Sequence, residues 1–144
     1  MYALATHDKQ AAQRWRMQFS STAACISLVR HHVEKTLSEW GYVRDDIGRV
    51  VLISSELATN AVRHGHVPGH LFEVALTSTR HTCLIEVSDS SPRTPMALRA
   101  TAEGEHGRGL PVVTALASSV GHHARKPTGK TVWAQILRTS HGSR

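Results

Sequence analysis

Residues 55–65, Ser55-Glu56-Leu57-Ala58-Thr59-Asn60-Ala61-Val62-Arg63-His64-Gly65, decide how this chain folds. Glu56, Asn60 and His64 recur every four residues, so on a helix they stack along one face. Val50-Val51-Leu52-Ile53 and Leu57-Ala58 surround them with enough apolar surface to pin that helix into a core. The spacing predicts a helix from Asp45 or Asp46 to about Arg63, with Ile47, Val50, Val51, Ser54, Leu57, Ala58 and Ala61 facing inward and Gly65 as its stop. A carboxylate and an amide on the inner part of a buried helix are costly unless something polar meets them. A hydrated magnesium ion carrying phosphates would be such a partner, because magnesium takes oxygen ligands and keeps several waters.

The flanking sequence supplies the other elements. Residues 1–12 read as a loose tail and 139–144 as a second one, with a single domain over 13–138. Arg14-Trp15-Arg16-Met17-Gln18-Phe19 alternates polar with large apolar residues, the period of a half-buried strand. Ser20, Ser21 and Thr22 offer N-caps for a helix from about Ala23 to Trp40, ended by Gly41. Residues 71–77 and 82–88 read as a strand pair joined by Ser78-Thr79-Arg80-His81. From Ser90 to His106 the periodicity fails, which marks a lid or mobile loop over about 90–107. Gly109 to Ser119 reads as a helix with Leu110, Val113, Thr114 and Leu116 inward. Residues 118–124 and 130–137 complete the chain as two strands. The layout is an α/β (α+β) two-layer sandwich, helices on one face of a mixed, mostly antiparallel sheet.

The 144 residues carry 40% hydrophobic and 19% charged side chains, the balance of one soluble globular domain. No segment approaches the roughly 20 apolar residues of a membrane span. The N-terminus lacks a signal-peptide pattern, so the expected location is the cytoplasm. Cys25 and Cys83 have no CxxC spacing and apolar neighbours, and are expected in the core as reduced thiols. The formal charge of +6 is spread without a run of basic residues. Three Trp, two Tyr and two Phe do not interleave with basic residues as a stacking platform would. The basic surface therefore suits ATP or an acidic protein partner better than direct nucleic-acid binding.

Three further motifs carry polar chemistry. Asp89 closes an apolar strand, where its carboxylate can accept from an exocyclic amine such as adenine's, or close an Asx-turn. Gly107-Arg108-Gly109-Leu110 leads into a helix, and glycines there let the backbone approach an anion at the free amides, or simply form a hinge. Gly129-Lys130-Thr131 is no Walker A loop: position 124 is Ala, not Gly, and a strand follows rather than a helix. Among eleven histidines, His64, His66 and His70 are the one set that offers a transition-metal site; no HExxH or Cys/His quartet is present.

The series Glu56-x-x-x-Asn60-x-x-x-His64-Gly65, strand-ending Asp89, Gly104-x-x-Gly107-Arg108-Gly109-Leu110 and Gly129-Lys130-Thr131-Val132-Trp133 resembles the ATPase domain of the GHKL superfamily. This is the Bergerat ATP-binding fold shared by DNA gyrase, histidine kinases and MutL. The short chain is most similar to anti-sigma-factor serine/threonine kinases and to the small histidine-kinase-like ATP-binding regulators of actinomycetes. The resemblance covers about residues 14–138. It implies Glu56 as general base, Asn60 as magnesium ligand, and His64 near the nucleotide where the helix ends. It further implies Asp89 as the adenine-reading carboxylate, Gly107, Arg108, Gly109 and Leu110 as the lid hinge at the phosphates, and Thr131 as a hydroxyl in the water network around adenine. ATP and Mg2+ follow, with a sigma factor and a STAS-like anti-anti-sigma protein as partners, and a homodimer in contact through the first strand and helix. The chain departs from the family at Asp89-Ser90-Ser91-Pro92-Arg93, where Asp-x-Gly-x-Gly is usual. Without those glycines the backbone cannot come as close to a nucleotide, and Pro92 stiffens the turn. Two functions remain open at this point: a kinase acting on the antagonist, or a nucleotide-dependent or degenerate module that sequesters a regulator without transfer.

Overall fold

The computed structural model describes residues 12–64, 69–91, 109–125 and 128–139. The expected helix stop Gly65, the expected lid beyond Ser91, and the tails lie outside the described residues, apart from Ala12 and Thr139. In chain order the elements are β1 (Gln13–Ser20), α1 (Cys25–Glu39), α2 (Arg44–His64), β2 (Leu71–Ser78), β3 (Thr82–Asp89), α3 (Gly109–Leu116), β4 (Ser119–Ala124) and β5 (Lys130–Leu137).

The strands form one sheet in the order β1-β2-β3-β5-β4. Every neighbouring pair is antiparallel, where the sequence predicts a mixed sheet. The chain from β3 through α3 does return β4 in the same sense as β3. The β4–β5 hairpin then inserts β5 between them, so no parallel ladder forms.

One face of the sheet carries the core. Phe72, Val74 and Leu76 of β2, Cys83, Ile85 and Val87 of β3, and Val132, Ala134 and Ile136 of β5 alternate inward and are buried. Helix α2 lies on these three strands, with α1 and α3 packed beside it. Its inner face is Val50, Ile53, Ser54, Leu57, Ala58 and Ala61, whereas Ile47 and Val51 are only partly buried. Truncating one of the large core residues, such as Phe72, costs about 3–5 kcal/mol. Cys83 sits in this core, and burial pushes its thiol up to about 11. Cys25 is partly buried at the start of α1.

Helix ends follow local chemistry. Gly41 adopts φ +82°, and the bonds Tyr42 N–H to Leu37 O and Gly41 N–H to Ser38 O close α1 in a Schellman motif. The start of α1 differs from expectation: no Ser or Thr side chain caps it, and Ala24 is the N-cap. The carbonyls of Thr22 and Ala23 accept the Cys25 and Ile26 amides at 3.1 Å, so the turn satisfies them with backbone. α3 ends at Leu116 rather than Ser119; its Val113 is buried but Thr114 is exposed.

Asp46, buried at the start of α2, ties the end of the chain to the helix layer. It accepts bonds from Arg49 (2.6 Å) and from both the N–H and hydroxyl of Thr139 (2.8 Å each). Burial opposes its charge, but those bonds outweigh it and hold the carboxyl below the usual carboxylate range. Beside it, Arg138 lies 3.8 Å over the Tyr42 ring and donates to Thr79 O at 2.8 Å. This end of the sheet is closed by packing and ion pairs. The opposite end, where α2 finishes and β3 meets β5, holds the candidate site.

Candidate functional site

The last two turns of α2 approach the ends of β3 and β5 and leave a recess between helix and sheet. Leu57, Asn60, Ala61 and His64 line it from the helix; Val87, Asp89, Lys130 and Val132 line it from the sheet. The walls are therefore apolar and the flanking groups polar.

The helix side follows from period. Leu57 and Ala61 are buried against the sheet, and Asn60 sits one residue off that stripe, partly buried. The Asn60 amide makes no hydrogen bond to any described residue. A hard cation that keeps its waters and takes phosphate oxygens needs few protein ligands. A single amide oxygen at the wall of a recess fits that requirement. Among the described residues no group of three or more His, Cys, Asp and Glu could hold a metal unaided. His66, needed for a histidine site, lies outside the described residues, and His70 is exposed. Glu56 is partly buried one turn before Asn60, outside the recess lining, and makes no ion pair or hydrogen bond among the described residues. The sequence predicts both polar residues buried; both are only partly buried, at the edge of the packed stripe.

The sheet side depends on one glycine. Gly129 has φ +113°, and a Cβ there would fall 2.3 Å from the Asp89 carbonyl oxygen. Only glycine lets the start of β5 cross the end of β3 so closely. The register then pairs Asp89 with Lys130 and Ser88 with Thr131. Lys130 Nζ donates to Asp89 Oδ1 at 2.9 Å, with the two side chains 7% and 5% exposed. The Ser91 amide donates to the same oxygen at 2.9 Å, so Asp89 also closes an Asx-turn.

Thr131 stands apart from the other expected residues. Strand alternation puts Lys130, Val132, Ala134 and Ile136 on the core face and Thr131 on the other. The Thr131 hydroxyl bonds Ser88 Oγ at 2.7 Å on that far face and does not line the recess. Lys130 occupies the place expected of Thr131. The signal was available, since Val132, Ala134 and Ile136 are the apolar positions of the strand and Lys130 shares their parity.

Of the remaining expected residues, Gly107 and Arg108 lie outside the described residues. Gly109 and Leu110 open α3, which packs on α2. The structure thus brings Asn60, His64 and Asp89 together, adds Lys130, sets Glu56 beside the recess, and removes Thr131 from it.

Residues 19–136 match the histidine kinase-like ATPase domain family. The chain belongs to that family. Two solved structures resemble the fold. The RsbU and RsbW domains of Rv1364c from Mycobacterium tuberculosis align with TM-score 0.64 at 22% identity, covering 89% of this chain and 33% of that one. The chain therefore spans about a third of that larger protein. The SiaB–SiaC complex from Pseudomonas aeruginosa aligns with TM-score 0.64 at 15% identity, covering 89% of this chain and 91% of that one. No curated protein matches. No described helix is long and apolar enough to cross a membrane.

Proposed function

We propose that this ATPase-family domain is a cytoplasmic anti-sigma factor with serine/threonine kinase activity on a STAS-like anti-anti-sigma protein. The observation that carries the reading is the recess between α2 and the β3–β5 pair, where apolar walls meet the Asp89 carboxylate and a partly buried Asn60 amide that has no partner among the described residues. Adenine lies between Leu57 and Ala61 on one side and Val87 and Val132 on the other, with Asp89 accepting from its amine. Asn60 would hold magnesium, which supplies charge neutralisation at the phosphates. The family resemblance gives the phosphates to Gly107, Arg108, Gly109 and Leu110, of which Gly109 and Leu110 open α3.

In the transfer, the partner's hydroxyl oxygen forms the new bond to the γ-phosphorus while the bond to the β–γ bridging oxygen breaks and ADP leaves. Glu56 accepts the hydroxyl proton. Among the described residues its carboxylate has no hydrogen-bond or ion-pair partner, which supports that role. The RsbW domain and the SiaB–SiaC complex support this choice among ATPase-family functions, the second because a protein of this fold there holds a protein partner. A homodimer through β1 and α1 completes the proposal, β1 being an edge strand.

A second reading has one observation in its favour. Asp89 is already engaged by Lys130 and Ser91, on a turn that lacks the family's glycines. A domain that binds nucleotide weakly and sequesters a sigma factor without transfer would tolerate that. Melting with and without Mg-ATP, then radiolabel transfer from [γ-32P]ATP to a candidate STAS-like protein, separates the two. Transfer that requires Glu56 supports the kinase; binding without transfer supports the module. No nucleotide-dependent shift at millimolar Mg-ATP contradicts both.

A further inference from the structure

The Asp89–Lys130 pair is buried but incompletely satisfied. Oδ1 of Asp89 takes both recorded bonds, from Lys130 Nζ and from Ser91 N. Oδ2 accepts nothing from the described residues. Lys130 Nζ has three protons to donate, and among the described residues only one is used. Both residues are about nineteen-twentieths buried, and both line the recess. Removing an ammonium and a carboxylate from water is costly, and the cost is recovered only when the remaining protons and lone pairs are met. The open valences are one carboxylate oxygen and two ammonium protons, at the sheet-side rim of a slot with apolar walls.

We infer that Lys130 is a base-reading residue in its own right, acting beside Asp89 on the edge of a 6-aminopurine. This rests on the adenine reading of the recess given above. On adenine, the exocyclic N6 amine donates and the adjacent ring nitrogen N1 accepts. Asp89 Oδ2 takes the amine and Lys130 Nζ donates to N1, so the ion pair presents an acceptor and a donor side by side. A 6-oxopurine in the same pose offers a carbonyl to the carboxylate and an N–H to the ammonium, a mismatch at both positions. The bond from Lys130 is charge-assisted and direct, where an uncharged hydroxyl at this position would need a bridging water to span the gap. The same arrangement offsets the loss of the glycine turn after Asp89, because affinity shifts from close backbone approach to the ammonium. Gly129 is what seats Lys130 there.

The test compares ATP with 1-deaza-ATP, in which N1 is replaced by C–H, on wild type and on Lys130→Met, by calorimetric titration in the presence of magnesium. Wild type is expected to bind ATP about tenfold more tightly than 1-deaza-ATP, the size of one charge-assisted bond. Lys130→Met is expected to lose that preference: ATP weakens about tenfold, and 1-deaza-ATP is nearly unchanged. Equal weakening of both nucleotides by Lys130→Met would overturn the inference, because Lys130 would then only position Asp89. Equal binding of the two nucleotides by wild type overturns it without any variant, should the substitution impair folding. In both of those outcomes wild type still binds ATP. A wild type that binds neither nucleotide removes the adenine reading itself, and the role of Lys130 with it.

Discussion

Gly129 passes so close to Asp89 that any side chain at position 129 would strike the Asp89 carbonyl oxygen, 2.3 Å from the place a Cβ would occupy. This contact sets the register that brings Lys130 opposite Asp89. Gly129→Ala must therefore push β5 away from β3 as well as adopt a positive φ. The expected cost is about 2–4 kcal/mol of stability, measured by urea denaturation, with ATP affinity falling in parallel. A stable variant with unchanged affinity would show that the crossing does not shape the recess.

Glu56 and Asn60 are one helical turn apart and are expected to fail differently. Glu56→Gln should keep Mg-ATP affinity within about twofold and lower transfer by at least about 100-fold, the range for a lost general base. Single-turnover radiolabel transfer and a binding titration read the two quantities separately. Loss of binding in Glu56→Gln would place that carboxylate in the nucleotide shell instead.

Ser54 is fully buried on the inner face of α2, and its hydroxyl has no hydrogen-bond partner among the described residues. An unmet buried hydroxyl is a liability, and alanine is the better helix former. Ser54→Ala is expected to stabilise the domain by about 1 kcal/mol, seen as a rise of several degrees in Tm, with nucleotide binding unchanged. A drop in Tm would mean that the hydroxyl is satisfied in solution.

Asp46 gives the fold an acid limb. Its folded carboxyl is held below the usual range, so its contribution is complete above the unfolded value of about 4 and is lost as pH falls through the lowered folded value. Asp46→Asn should cost about 2–3 kcal/mol at neutral pH, because it weakens the bonds to Arg49 and Thr139. The difference from wild type should shrink below pH 4. Urea midpoints from pH 3 to pH 7 would check this; a difference that stays constant across that range would refute it.

The helix that carries the site was legible because its apolar residues repeat at 3.6 and its polar ones at four. The sheet strands were legible for the same reason at period two. The start of α1 was not, since Thr22 and Ala23 satisfy its amides with their own carbonyls, and propensity counts only side-chain caps. The mostly antiparallel sheet was legible, but the insertion of β5 between β3 and β4 was not, because it rests on long-range pairing. At the site, motif order pointed to Thr131, while strand parity pointed to Lys130. A residue two positions before the buried Val132 must share its face, and Lys130 does line the recess. Asp89 closes the Asx-turn that one of its two readings gave, and it also lines the recess.

If the recess beside α2 takes a magnesium-bound adenine nucleotide through Asn60, as proposed, wild type and Asn60→Ala must melt differently over a Mg-ATP titration. Wild type should gain about 2.7 kcal/mol at a hundred times Kd, with a Tm rise of several degrees, and Asn60→Ala should gain nothing. An Asn60→Ala variant that Mg-ATP stabilises as much as wild type would contradict the account.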